Sequence, residues 1–249
     1  MYALIRGSSK GWGAPVILGT GICGIVFLGA LVWVELRVKD PLLDLRLLSD
    51  RLFQRMSMIG SLTAAGLMGL LFIFPLMYQN LLDASPLDSG LTTFPEALGL
   101  MIASRVMPRV YRRLGARWVV ALGLGGAIPV FLLLSMVGLE TDPWLIRSLF
   151  FSVGLCLGHT VVAAQFLAFQ NISAASMGRA TTLFNVQNRI GSALGVVSLA
   201  SLLGAFGHPL GASGLEQPVF VAYRFALRGS VVFLLAALFV GLGIRKTEA

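Results

Sequence analysis

Stretches of roughly twenty residues with almost no charge recur along this chain, and nothing else in the sequence limits its fold so tightly. The hydrocarbon core of a bilayer is about 30 Å thick and takes about 20 residues of helix to cross. Seven runs approach that length: residues 14–34, 56–82, 87–107, 118–139, 145–169, 181–206 and 219–244. Backbone N–H and C=O groups find no water to bond in lipid, so each run is expected to be helical. The short alternating strands of a membrane barrel are not seen. The third run is the weakest, because it holds Asp88, Glu96 and Arg105. The expected fold class is all-α, a polytopic transmembrane helix bundle of about seven spans.

Composition agrees. Apolar residues make up 57% and charged residues 12%, against about 45–50% and about 25% in soluble domains. Mean hydropathy is +0.86. A net charge of +8 would suit nucleic acid in a soluble protein. Here the cations gather between apolar runs, which is the positive-inside pattern of membrane topology, so nucleic acid is not an expected partner. Cys23 and Cys156 each sit inside an apolar run, and no disulfide is expected. The start is not a secretory signal, since the run after Arg6 and Lys10 is too long for a signal core.

Charge also orients the chain. With seven spans the termini lie on opposite sides. One side collects thirteen cations: Arg37, Lys39, Arg46, Arg51, Arg55, Arg105, Arg109, Arg112, Arg113, Arg117, Arg179, Arg245 and Lys246. The other collects five: Arg6, Lys10, Arg147, Arg224 and Arg228. The first side is therefore expected in the cytoplasm, with the C-terminus there and the N-terminus outside. An external N-terminus without a cleavable signal is easier to explain if further helices precede it. Three regions are expected: residues 1–35, an external tail and one helix; residues 36–55, a cytoplasmic amphipathic linker lying at the membrane surface; and residues 56–249, a six-helix bundle.

Several segments resemble the Major Facilitator Superfamily, most closely its fourteen-helix drug:proton antiporters of the EmrB/QacA type. KGWGAP before a helix and VELRVKDPLLDLRLLSDRLF after it look like the join between that family's extra central helices and its C-terminal bundle. LFIFPLMYQNLLDASPLDSGLTTFPEALGLMIAS resembles its seventh and eighth core helices, and MGRATTLFNVQNRIGSALGVVSLASLL a later loop and helix. RVMPRVYRRLGARWVV resembles the superfamily's cytoplasmic gate loop: Arg113, Gly115 and Arg117 match, with Arg109 on the same loop, while Pro108 stands at a glycine position and Arg112 replaces an aspartate. Plain positive-inside anchoring is the simpler role for those arginines.

The resemblance implies the C-terminal half of a major-facilitator fold in a bacterial inner membrane. It implies proton-coupled export of a lipophilic or cationic small molecule by alternating access. The partners would be the lipid bilayer, the substrate, protons and a missing N-terminal transporter half. The alternative is a non-transporting membrane fragment or scaffold that assembles with a partner half.

Polar residues within apolar runs are the best candidates for a substrate or proton pathway, since burying them in a membrane is costly. Glu96 follows Phe94-Pro95, where a broken helix would free backbone groups beside a carboxylate. His159 and Gln165 lie in the fifth run, and Asn185, Asn188 and Arg189 in the sixth. Asn185 and Arg189 are four apart and share a helix face. Met68, Phe72, Phe74 and Met77 are candidates for an adaptable drug-binding wall. Gly154 with Gly158, and Gly191 with Gly195, are small-xxx-small pairs suited to close helix packing. The chain has no P-loop, HExxH, CxxC or GxSxG pattern. No metal or other cofactor is expected, and no catalytic cluster supports an enzyme.

Overall fold

The computed structural model describes residues 15–38, 44–138, 140–207 and 217–243, and every regular element among them is helical. In chain order these are α1 (Pro15–Arg37), a 3-10 turn (Leu45–Ser49), α2 (Arg51–Leu81), α3 (Pro86–Thr93), α4 (Pro95–Leu114), α5 (Ala116–Leu134) and α6 (Pro143–Ala168). A second 3-10 turn (Ala174–Ser176) leads into α7 (Met177–Gly207), and α8 (Gln217–Leu242) follows. Five segments among the described residues are long and apolar enough to cross a membrane: Arg51–Leu81, Ala116–Leu134, Pro143–Ala168, Ala174–Ala205 and Phe220–Leu242. Helix α1 is a further 23 residues with no charge before Glu35.

The run expected at 87–107 is not one span. The Ser85 hydroxyl caps α3 at the Asp88 N–H, and α3 stops at Thr93. Pro95 has no N–H to continue the ladder but suits the first position of a new helix. Helix α4 therefore starts at Pro95 and carries its arginine-rich end on to Leu114.

The amphipathic helix expected over residues 36–55 is also absent from the described residues. Helix α1 runs through Arg37, and beyond the undescribed 39–43 the chain makes only the 3-10 turn before α2. Two aspartates divide it. The Asp44 carboxylate accepts from the Arg46 N–H at 3.2 Å, and that of Asp50 from the Phe53 N–H at 2.8 Å, so each starts a separate element. Asp44 also lies 3.9 Å from the Arg179 guanidinium in the first turn of α7. Arg55 donates to the Gly243 carbonyl at 2.8 Å, tying the start of α2 to the end of α8. The tail with Arg6 and Lys10, the linker residue Lys39, His208 and the terminal Arg245 and Lys246 lie outside the described residues.

Helices α2 and α6 are central. Helix α2 packs on α6, α7 and α8; α6 packs on α2, α4 and α5; α5 and α8 pack on each other. The first helix of each three-helix set (α2, α4, α5 and α6, α7, α8) thus leans on the second and third helices of the other set. Phe53 meets Phe169 and Phe74 meets Phe150, so α2 and α6 run antiparallel. Lipid tails are as apolar as these side chains, so close packing rather than water exclusion holds such helices together.

Glycines set the two closest crossings. Between α4 and α6, a Cβ on Gly99 would strike the Phe151 carbonyl and one on Gly154 the Glu96 carbonyl, while Gly158 lies against Leu100 and Ala103. Between α2 and α7, Gly191 abuts the Ser61 carbonyl and Gly195 that of Ala65. The Ser61 hydroxyl adds a bond to the Gln187 carbonyl at 2.9 Å.

Gly115 alone joins α4 to α5, with φ 78° and ψ 170°. A Cβ there meets nothing, so its need for glycine is one of backbone conformation. Gly115→Ala is expected to destabilise the chain by about 1–3 kcal/mol. Thermal unfolding of the detergent-solubilised chain checks this. Gly125→Ala, helical and open, should show no such fall.

Candidate functional site

The packing pairs place α4, α6, α2 and α7 in a row, with α5 and α8 behind it. The row puts four of the candidate polar residues on its two edge helices and two on central α6. A shallow, open concavity lies on α6. It has a volume of about 400 Å³ and is lined by Val162, Gln165, Phe166, Phe169 and Gln170. Its walls are aromatic. The Phe169 ring sits 6.4 Å from that of Phe53 on α2 and 5.4 Å from that of Phe184 on α7, and Phe166 meets Tyr111 of α4 edge-on at 5.7 Å. All five lining residues stand on α6 or in the turn directly after it, and their neighbours on the other three helices pack behind them. Phe166 is 57% exposed, and Gln165 and Gln170 line the same depression. Such a surface suits a flat apolar body, and a cation gains from the ring face and amide oxygens.

His159 lies on the same face of α6 as Val162 and Phe166, one and two turns away. Its Nδ1 is 2.7 Å from the Leu155 carbonyl. Since a carbonyl only accepts, that bond requires a proton on Nδ1. Among the described residues no group of three metal-ligating side chains occurs.

Glu96 stands in the first turn of α4, half-buried, where the helix dipole favours an anion. Its backbone carbonyl lies against Gly154, so the α4–α6 crossing fixes its position. On α7 the polar trio divides. Asn188 turns towards Gly60 of α2 and donates to the Phe184 carbonyl at 2.8 Å, whereas Asn185 and Arg189 share an exposed face.

The wall expected from Met68, Phe72, Phe74 and Met77 does not exist as a unit. Phe74 and Met77 are fully buried in the core, Phe74 against Phe150, while Met68 and Phe72 are exposed. Helical periodicity sends the two pairs to different faces.

The gate-loop arginines are exposed. Arg109 reaches only the Arg105 carbonyl, at 3.4 Å, and among the described residues no carboxylate pairs with Arg109, Arg113 or Arg117. Arg112, at the aspartate position of the pattern, adds another cation rather than a partner.

Sequence reasoning found Gln165 but not Phe166, Phe169 and Gln170. The available signal was QFLAFQ, in which Gln165 with Phe169, and Phe166 with Gln170, are paired four apart.

The sequence profile of the Major Facilitator Superfamily matches residues 3–196. The chain is 29% identical over 210 residues to the puromycin resistance protein of Streptomyces alboniger, covering 80% of this chain and 40% of that protein. It is 23% identical over 199 residues to a multidrug transporter protein of Bacillus subtilis, covering 80% and 37%. It is 26% identical over 196 residues to the methylenomycin A resistance protein of the same organism, covering 78% and 42%. The chain thus spans about two fifths of the length of these curated relatives. With its apolar helices, this makes it an integral multi-pass membrane protein. The chain belongs to the Major Facilitator Superfamily.

Proposed function

We propose that this chain is the C-terminal part of a proton-coupled exporter of lipophilic, often cationic, small molecules. It would be of the fourteen-helix kind, in a bacterial inner membrane with its C-terminus in the cytoplasm. One observation carries the reading: an aromatic depression edged by Gln165 and Gln170, in a chain whose relatives are named for drug and antibiotic resistance. In this reading a second bundle faces the α4–α6–α2–α7 row, and substrate passes between the two halves, over the depression at the cytoplasmic end of α6.

Gln165 and His159 contact the substrate, and Glu96 carries the coupling proton. Asn185, Asn188 and Arg189 serve the pathway from α7. Arg109, Arg113 and Arg117, with the reversal at Gly115, form the cytoplasmic gate loop of this half. Rocking of one bundle against the other then alternates access.

Filling the depression tests the substrate site. In cells expressing the reading frame that contains this chain, Gln165→Trp should slow ethidium efflux about tenfold, with the protein still present in the membrane at its usual level. An unchanged efflux rate would remove the depression from the pathway.

A further inference from the structure

The arginines around the α4–α5 junction are exposed rather than packed. Arg112, Arg113 and Arg117 are exposed, and among the described residues none is paired with a carboxylate. Gly115 folds the chain back so that Arg113 and Arg117 flank one tight reversal at the end of the bundle.

Directly after Arg117 an uncovered apolar stripe begins. Trp118, Leu122, Gly125, Pro129, Leu133 and Met136 follow one another at steps of three or four residues, all exposed. Trp118 and Leu122 are each 56% exposed. From Trp118 to Met136 the stripe is about 27 Å long at 1.5 Å per residue, close to the bilayer's hydrocarbon thickness of about 30 Å. Its middle is notched, because a Cβ on Gly125 would meet nothing within 4 Å. Helix α5 belongs to the back of the bundle, against α6 and α8, so a second bundle docked on the front row leaves this stripe in lipid.

We propose that the α4–α5 junction binds one anionic phospholipid. Arg113 and Arg117 hold its phosphate, and an acyl chain lies along α5 in the notch at Gly125. Charge and shape both select this occupant. Three exposed arginines, unpaired with any carboxylate among the described residues, stand at the Trp118 end of the stripe. At the Met136 end Arg224 is held by the Met136 carbonyl and the Phe220 ring, and Glu140 is exposed. A soluble anion would use the arginines but leave the stripe and the notch unexplained. The proposal rests on membrane embedding alone and stands whether or not the chain transports drugs.

Native mass spectrometry of the full chain in detergent, titrated with dioleoylphosphatidylglycerol, dioleoylphosphatidylcholine or glycerol 3-phosphate, tests it. Phosphatidylglycerol should bind at least tenfold more tightly than phosphatidylcholine. The double variant Arg113→Gln/Arg117→Gln should lose about thirtyfold in phosphatidylglycerol affinity, on the order of fivefold per arginine, and little in phosphatidylcholine affinity. Gly125→Leu, whose side chain enters open space, should weaken both lipids severalfold while eluting like the parent chain. Equal binding of the two lipids would overturn the proposal, as would undiminished phosphatidylglycerol binding by either variant. Competition by glycerol 3-phosphate at the same concentration as the lipid would reduce the site to one for free anions and overturn it equally.

Discussion

Gly154→Leu is expected to leave almost no folded protein in the membrane. A Cβ at this position would lie inside the contact shell of the Glu96 carbonyl and 2.9 Å from the Leu100 nitrogen. Both neighbours are backbone, so no side-chain rotation relieves the clash, and α4 would have to separate from α6. Overpacking a tight site costs about 1–3 kcal/mol even where side chains yield. A forced helix separation costs more, against a total stability of about 5–15 kcal/mol. Size-exclusion profiles of the solubilised chain should show the monodisperse peak lost for Gly154→Leu and reduced for Gly154→Ala. Gly178→Ala, which meets nothing within 4 Å, should leave it intact. A normal peak for Gly154→Leu would mean that α4 and α6 do not cross as described.

Glu96→Gln should act on function rather than folding. The two side chains have the same shape, but glutamine cannot take up and release a proton. Glu96 is half-buried, and among the described residues its carboxylate has no cation partner. In the proposed mechanism it is the group whose charge changes as the bundle alternates. Proton-driven export should fall about a hundredfold, the lower end of what a positioned proton-transfer group contributes. Protein abundance should stay unchanged, as should equilibrium binding of an uncharged substrate. Asp88→Asn, on the exposed face of α3 where Ser85 bonds it at 2.6 Å, should keep full export. Full export by Glu96→Gln would remove Glu96 from the coupling path.

The two predictions are linked through one contact. The Glu96 carbonyl packs on Gly154, so a variant mild enough to fold, such as Gly154→Ala, should shift α4 and lower coupling with it.

The helices were legible because lipid leaves the backbone no alternative to helix, and charge-poor length shows directly in the sequence. Their breaks were less legible. Pro95 was visible, but a hydropathy run passes over Phe94-Pro95 without registering that the ladder of α3 ends there. Asp44 and Asp50 were visible in the linker too, yet mixed apolar and charged spacing read as an amphipathic helix until each proved to start its own element. Small-xxx-small pairs picked out Gly154, Gly158, Gly191 and Gly195. They missed Gly99 and Gly60, whose small partners four residues on are Ala103 and Ala64 rather than glycine. The depression was hidden for a different reason. Gln165 stood out as a polar residue in an apolar run, but how much of Phe169 stays open depends on Phe53 and Phe184, more than a hundred residues apart in the chain, packing against it. Periodicity reports which residues share a face, not which face remains open once helices pack.

The most direct test of the exporter account is uptake of ethidium into everted membrane vesicles containing the reading frame that holds this chain. The account predicts uptake when respiration acidifies the vesicle interior, abolished by nigericin at unchanged membrane voltage and lost in Glu96→Gln. Uptake that survives collapse of the pH difference would contradict proton coupling, and no uptake under any gradient would contradict export itself.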